Sequence, residues 1–271
     1  MNITFIGGGN MASALISGLT KQGCSPADIR VVEISAEGRE RLHLTFGVAV
    51  FECIDSAALA SDIVVLAVKP QQLREIAAQL QGKIAGKLVV SIAAGVRGPD
   101  LARWLGGHPQ LVRAMPNTPA MIQSGITGLY ALSGVSDAQK HQAEAVLSAV
   151  GTVVWLDAET QMDAITAVSG SGPAYAFYFM EALEQAARKF GFADGAARHL
   201  AVETFLGAAK LAAASDEDLA TLRARVTSQG GTTERALLSM ETATVKAHIV
   251  RAIQAAAERS RELGDELGRA E

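Results

Sequence analysis

Two glycine-rich stretches, far apart in the chain, carry the residue types that bind anions. The first is ITFIGGGNMA, Ile3–Ala12, where a short apolar run breaks into glycines and then enters a helical pattern with Met11, Ala12, Leu15, Ile16 and Leu19. Gly7 and Gly9 allow a tight turn and bring backbone N–H groups close to a ligand. The helix start that follows adds unpaired amides and the positive end of the helix dipole, both of which favour a phosphate. Gly7, Gly9 and Ala12 fit the G-x-G-x-x-G/A pattern of dinucleotide-binding turns, with Ala12 small enough for close helix–strand packing. The alternative is an ordinary strand–helix turn without a ligand. The second stretch is TSQGGTTERAL, Thr227–Leu237, where Gly230 and Gly231 precede a helix beginning near Thr232–Thr233. Its natural guest is an anion such as a substrate carboxylate, with hydroxyls of Ser228, Thr232 and Thr233 at hand. An N-cap with no ligand is the alternative here. Together these two helix starts suggest a dinucleotide meeting a small carboxylic acid.

Two further stretches suit the same place. RAMPNTP, Arg113–Pro119, follows a strand, and its prolines fix a backbone that offers Asn117 and Thr118. Such a loop suits a nicotinamide, or is a structural turn. SGSGPAY, Ser169–Tyr175, places Pro173 in a helix's first turn, and close packing is a sufficient account of its small residues. The five histidines are scattered, with no H-E-x-x-H and no paired-carboxylate motif, so metal or hydrolase chemistry has little support. They are most simply surface or helix-face residues. Cys24 and Cys53 alone make neither a disulfide framework nor a four-ligand metal site.

Positioning these stretches requires alternating strands and helices, and the first part supplies them. Strands are predicted at Ile29–Ile34, Val48–Phe51, Ile63–Val68, Leu88–Ile92, Leu111–Ala114, Gly125–Ala131 and Thr152–Leu156. Ala36–Phe46 reads as a helix stopped by Gly47, and Lys69-Pro70 opens another with Leu73, Ile76, Ala77 and Leu80 on one face. A helix over Asp137–Val150 starts at a Ser136/Gln139 capping box and is expected to end at Gly151. The pattern predicts an α/β, mainly parallel, doubly wound sheet of Rossmann type over residues 1–158. Near Asp157–Gln161 the character changes to alanine-rich helical patterns: Pro173–Phe190, Asp194–Ala214, Asp216–Val226, and Thr232–Leu267 broken near Glu241–Thr244. Residues 159–271 are therefore expected to form an all-α substrate-binding and dimerisation domain. The apolar faces of Pro173–Ala214 and Val245–Ala257 are too extensive to leave in water, so a homodimer at least is expected, with a monomer holding a compact bundle as the alternative. With 271 residues, 49% hydrophobic and 19% charged, the chain can build a sizeable core. A net charge of −4 without like-charge blocks favours neither nucleic acid nor an acidic membrane surface. The expectation is a soluble cytoplasmic protein, with Met1 opening the first domain and no signal peptide before it.

GGGNMA, AVKPQ (Ala67–Gln71), VRAMPNTP (Val112–Pro119), SGSGPAY and VTSQGGTT (Val226–Thr233) resemble, in order and over nearly the whole chain, the signature stretches of the pyrroline-5-carboxylate reductases. The resemblance implies an N-terminal Rossmann domain, a helical dimerisation domain and, in many members, a ring of five dimers. It implies reduction of 1-pyrroline-5-carboxylate to L-proline by NADPH or NADH, the last step of proline synthesis, with no metal. Carried over to this sequence, it assigns the pyrophosphate to Ile6, Gly7, Gly8, Gly9, Asn10 and Met11. Ala67, Val68, Lys69 and Pro70, with Ala93, Ala94 and Gly95, would line the adenosine and nicotinamide path. Ser228, Gly230, Gly231, Thr232 and Thr233 would hold the substrate carboxylate. Thr233 would bond the ring nitrogen as the catalytic residue, and Glu159 would lie near the substrate.

One departure concerns the cofactor. The second strand ends VVEIS, with Glu33 where many members have Asn followed by Arg, and Ile54 replaces a position that is often Asn. Glu33 stands 26 residues after Gly7, close to the spacing of an acid that binds both ribose hydroxyls of NAD and repels a 2′-phosphate. Arg39 is the nearby cation that would offset it, and a solvated strand end is the structural alternative. Two rivals differ in function. A β-hydroxyacid dehydrogenase resembles this arrangement but needs a catalytic Lys soon after its Gly-rich helix start, and the next one after Ser169–Gly172 is Lys189. The other is a non-catalytic nucleotide sensor.

Overall fold

The computed structural model describes residues 1–269. It has the expected class, a Rossmann-type sheet followed by helices. The first part runs β1 (Ile3–Ile6), α1 (Asn10–Lys21), β2 (Ile29–Val32), α2 (Ala36–Phe46), β3 (Ala49–Phe51), β4 (Ile63–Leu66), α3 (Pro70–Leu80), β5 (Leu88–Ser91), α4 (Gly98–Trp104), β6 (Leu111–Met115), β7 (Gly125–Ala131), α5 (Asp137–Ser148) and β8 (Gly151–Trp155). The helical part continues with α6 (Gln161–Ile165), α7 (Gly172–Lys189), α8 (Asp194–Ala213), α9 (Leu219–Arg225), α10 (Thr232–Thr242) and α11 (Val245–Arg269).

The strands lie in the order β3-β2-β1-β4-β5-β6-β7-β8. All neighbours pair parallel except β6 and β7, which are joined through a single short 3-10 turn, Thr118–Ile122, and run antiparallel. A parallel return needs a longer crossover than that connection offers. Successive side chains point to opposite faces, so β1 buries Ile3 and Phe5 against Leu15, Leu42 and Leu147 on one side. Ile6 meets Leu73, Leu80 and Leu101 on the other. Both faces are covered, which is why IVVL in β4 is apolar without alternation.

Local chemistry sets several boundaries. Ser35 caps α2 and Gly47, at φ +68°, ends it. Ser136 and Gln139 form the capping box of α5. Gly151 differs from expectation: α5 stops at Ser148, and Gly151 opens β8 at φ +145° because the Gly125 carbonyl occupies the space a side chain would need. The helix expected from Asp216 starts at Leu219, since the Asp218 carboxylate accepts the Thr221 N–H at 2.7 Å as its N-cap. Thr244, at φ +52°, makes the break between α10 and α11. Short α4 was not expected, and neither was the wide π turn Thr166–Gly170 that follows α6. Among the histidines, His108 departs from the surface expectation: it is buried and its Nε2 lies 2.9 Å from the Lys87 carbonyl.

The chain forms two compact units, Met1–Ser171 with the segment from Ala256 onward, and Gly172–Ala255. The first unit thus runs past the composition change at Asp157–Gln161 and takes in the last turns of α11. Arg97 pairs with Asp265 at 2.7 Å, Ser260 donates to Asp163 at 2.7 Å, and Leu263 and Leu267 lie over Gly95. In the second unit α7 packs on α8, with Ala197 and Ala201 buried. Phe177, Tyr178, Leu206 and Met240 are left exposed on the single chain. None of the helices among the described residues is long and apolar enough to cross a membrane.

Candidate active site

At the carboxyl ends of β1, β2 and β4 lies a cleft of about 550 Å³ whose wall includes Ile6, Gly7, Gly8, Gly9, Glu33, Ala67, Val68 and Lys69. This is the place where a doubly wound sheet binds its ligand. Gly7 adopts φ +98°, and a Cβ there would lie 2.7 Å from the Ala67 carbonyl oxygen, so β1 and β4 approach too closely for any side chain. Gly9 is the N-cap of α1, with no side-chain cap, and a Cβ on it would meet open space. The first amides of α1, next to Gly9 of the cleft wall, therefore have no side-chain cap to compete with a ligand, which fits a pyrophosphate. Asn10 and Met11 begin that helix, and Pro70 begins α3 after Lys69.

Glu33 is seated rather than loose. Its Oε2 accepts the Gly8 N–H and its Oε1 the Ser35 N–H, both at 2.9 Å. Its side chain fits between two glycines: a Cβ on Gly38 would stand 2.9 Å from Glu33 Cγ, and one on Gly8 would stand 3.1 Å from Oε2. Arg39, the potential counter-charge, turns to the backbone instead, donating Nη1 to the carbonyls of Glu33 at 2.8 Å and Ile34 at 2.9 Å. The sequence did not single out Glu52, Gln72 and Glu75, which also line the cleft. Gly38 in the first turn of a helix, five residues after Glu33, was the available signal of a close approach.

Ala93, Ala94 and Gly95 follow β5, with Ala93 buried and Gly95 at φ +77° beneath Leu263 and Leu267. Asn117, after β6, is buried and has both polar ends engaged inside the protein: Nδ2 donates to the Ser169 carbonyl, and Oδ1 accepts the Ile126 N–H. Glu159, expected beside the substrate, directs Oε1 to Arg113 Nη1 at 2.7 Å and to the Gly98 N–H at 2.5 Å. It thereby braces β6 and caps α4. That partner set is non-local and left no trace in the spacing of the sequence.

The second glycine-rich helix start lies within the helical unit. Gly231 is the N-cap of α10 without a side-chain cap, and Gly230 takes φ +73° to turn the chain into it. A Cβ on Gly231 would lie 2.5 Å from Ser228 Oγ, so the serine hydroxyl sits directly over the turn. Thr232 and Thr233 open the helix and are exposed. The Gly230 N–H is taken by Glu234 at 2.7 Å, while the N-cap Gly231 offers the first α10 amides no side-chain partner.

Residues 159–263 match the family described as pyrroline-5-carboxylate reductase dimerisation, and residues 2–95 the family described as NADP oxidoreductase, coenzyme F420-dependent. The chain is 46% identical over 267 residues to the pyrroline-5-carboxylate reductase of Pseudomonas aeruginosa, covering 98% of each. It is 41% identical over 263 residues to that of Haemophilus influenzae, covering 96% of this chain and 97% of the relative. Among solved structures, the pyrroline-5-carboxylate reductase of Coxiella burnetii superposes with a TM-score of 0.93 at 42% identity, over 97% of this chain and 98% of that one. Plasmodium falciparum pyrroline carboxylate reductase with NADP bound gives 0.85 at 27% identity, over the same shares. With the glycine turn, the cleft and the second helix start all in place, the chain belongs to the pyrroline-5-carboxylate reductase family.

Proposed function

We infer that this protein reduces 1-pyrroline-5-carboxylate to L-proline, the closing step of proline synthesis, with a nicotinamide dinucleotide as hydride donor. The observation that carries the reading is the uncapped glycine turn at the head of a strand-end cleft, in a chain related to these reductases over nearly its full length. The bound cofactor supplies a hydride; the protein supplies position and hydrogen bonds. Ile6–Met11, Ala67–Pro70 and Ala93–Gly95 hold the dinucleotide, and Asn117 fixes the loop beside it. Ser228 and the amides and hydroxyls of Gly230–Thr233 hold the substrate carboxylate. Thr233 bonds the ring nitrogen. Reduction of a C=N bond needs a proton at that nitrogen, and a protonated imine is already electrophilic. Orientation can then supply much of the rate without a strong acid residue. Glu159 contributes indirectly, by holding Arg113 and the Gly98 N–H.

The seat of Glu33 supports use of NADH at least as well as NADPH, because a carboxylate fixed at the end of β2 accepts ribose hydroxyls and opposes a 2′-phosphate. The protein is a homo-oligomer through its dimerisation helices. We propose a ring of five such dimers as its larger assembly, the arrangement that the family resemblance implies for many members.

Two measurements test this reading. Thr233→Ala should lower turnover of the imine while leaving cofactor binding nearly intact, a loss of about 1–3 kcal/mol of transition-state stabilisation. Unchanged kcat and KM would remove Thr233 from the site. The kcat/KM ratio for the two cofactors should move toward NADPH in Glu33→Ser. A parent that strongly prefers NADPH, with an unmoved ratio in the variant, would refute the role of Glu33.

A further inference from the structure

Glu33 is not the only charge at the ribose end of the cleft. Glu52, just after β3, lines the same wall, and its Oε2 lies 3.4 Å from Arg39 Nη2. The two side chains differ in freedom. Arg39 is 20% exposed and its Nη1 is held by two backbone carbonyls, whereas Glu52 is 76% exposed. A guanidinium offers its donors in a rigid fork, so fixing Nη1 also fixes the direction of the rest. What Arg39 has left to offer an anion is its Nη2 side, and that side faces Glu52.

We propose that Glu52 is a second specificity-determining residue, competing with the 2′-phosphate of NADPH for the Arg39 guanidinium. This rests on the reading that the cleft takes the adenosine end of a dinucleotide. The pair is long and its Glu52 member is exposed, so it is readily exchanged and sets a preference rather than an exclusion. A 2′-phosphate brings close to two negative charges and must draw Arg39 away from Glu52 while remaining near that carboxylate. A ribose with free hydroxyls leaves the pair undisturbed. Glu33 thus selects by accepting hydroxyls, and Glu52 by keeping the Arg39 guanidinium engaged.

The test is a binding cycle on the full-length protein without substrate. Calorimetry measures the Kd of adenosine 2′,5′-bisphosphate and of AMP for the parent, Glu52→Gln, Arg39→Ala and the double variant. Glu52→Gln should tighten the bisphosphate by roughly three- to tenfold and leave AMP within about twofold, and the gain should vanish when Arg39 is alanine. Glu52 is exposed, and an unchanged melting temperature will confirm that folding is unaffected. An unchanged bisphosphate affinity in Glu52→Gln overturns the proposal. So does an equal gain in the Arg39→Ala background, which would assign the effect to the bare charge of Glu52. Failure of AMP to bind any of the four proteins refutes the cleft reading itself and the proposal with it. The parent's own preference between NADH and NADPH, which tests Glu33, enters none of these comparisons.

Discussion

Asn117 Nδ2 donates to the carbonyl of Ser169 at 3.1 Å, across 52 residues of chain. Four positions beyond Ser169 stands Pro173, which has no N–H to return to that carbonyl. The asparagine supplies the donor that the proline withholds. The helix widens at the same place, with the Ser171 N–H reaching back to the Thr166 carbonyl at 2.9 Å.

Asn117→Ala should therefore destabilise the protein by about 2–4 kcal/mol, because it strands both the Ser169 carbonyl and the Ile126 N–H. Adding Pro173→Ala restores a backbone donor for Ser169 and should recover roughly 1 kcal/mol of that loss. Urea unfolding of the two variants measures both effects. A double variant no more stable than Asn117→Ala would break the link between the proline and the asparagine.

Gly38→Ala should separate stability from cofactor affinity. Alanine favours a helix over glycine by about 1 kcal/mol, which offsets the loss of the Glu33 bonds to Gly8 and Ser35, so the melting temperature should stay near the parent's. The new methyl, 2.9 Å from Glu33 Cγ, must push that side chain off its seat and weaken NADH binding severalfold. A calorimetric Kd equal to the parent's would mean that Glu33 binds equally well from another position.

Acid should weaken the protein through His108. Burial is the main cause that holds its imidazole below the ordinary 6.5, against the raising effect of its backbone bonds to Lys87 and Gln110. The unfolded chain binds that proton more readily. This residue's contribution is therefore fully present above pH ~6.5 and is lost as pH falls from there toward the folded-state value. His108→Gln should flatten the fall in unfolding midpoint between about pH 7.5 and 5.5. An equal slope in both proteins would place the acid sensitivity elsewhere.

Much of the fold was legible because short-range chemistry set it. Gly47 ended α2 where its αL geometry is needed, the Ser136/Gln139 box opened α5, and the break before Val245 was visible in the helical pattern. α4 was not legible: its seven residues begin Gly-Pro, and its N-terminal amide is capped by Glu159, 61 residues later. The site divided in the same way. The glycine turn and the Ser228–Thr233 start are local motifs and were read directly. The seat of Glu33 depends on Gly8 and Gly38 converging in space, and the engagement of Asn117 and Glu159 depends on partners that only the folded chain supplies.

The return of α11 to the first unit has a consequence for how the chain is made. Every strand of the sheet has left the ribosome long before Ala256 is synthesised, and at ~5–20 residues per second the nucleotide-binding unit waits several seconds for its last piece. During that interval Gly95 lacks its cover of Leu263 and Leu267, and Arg97 lacks Asp265. A nascent chain released early would carry a complete sheet with the loop after β5 bare on its surface. The unit is finished only when the C-terminal turns arrive, so the reductase closes its first-made half last.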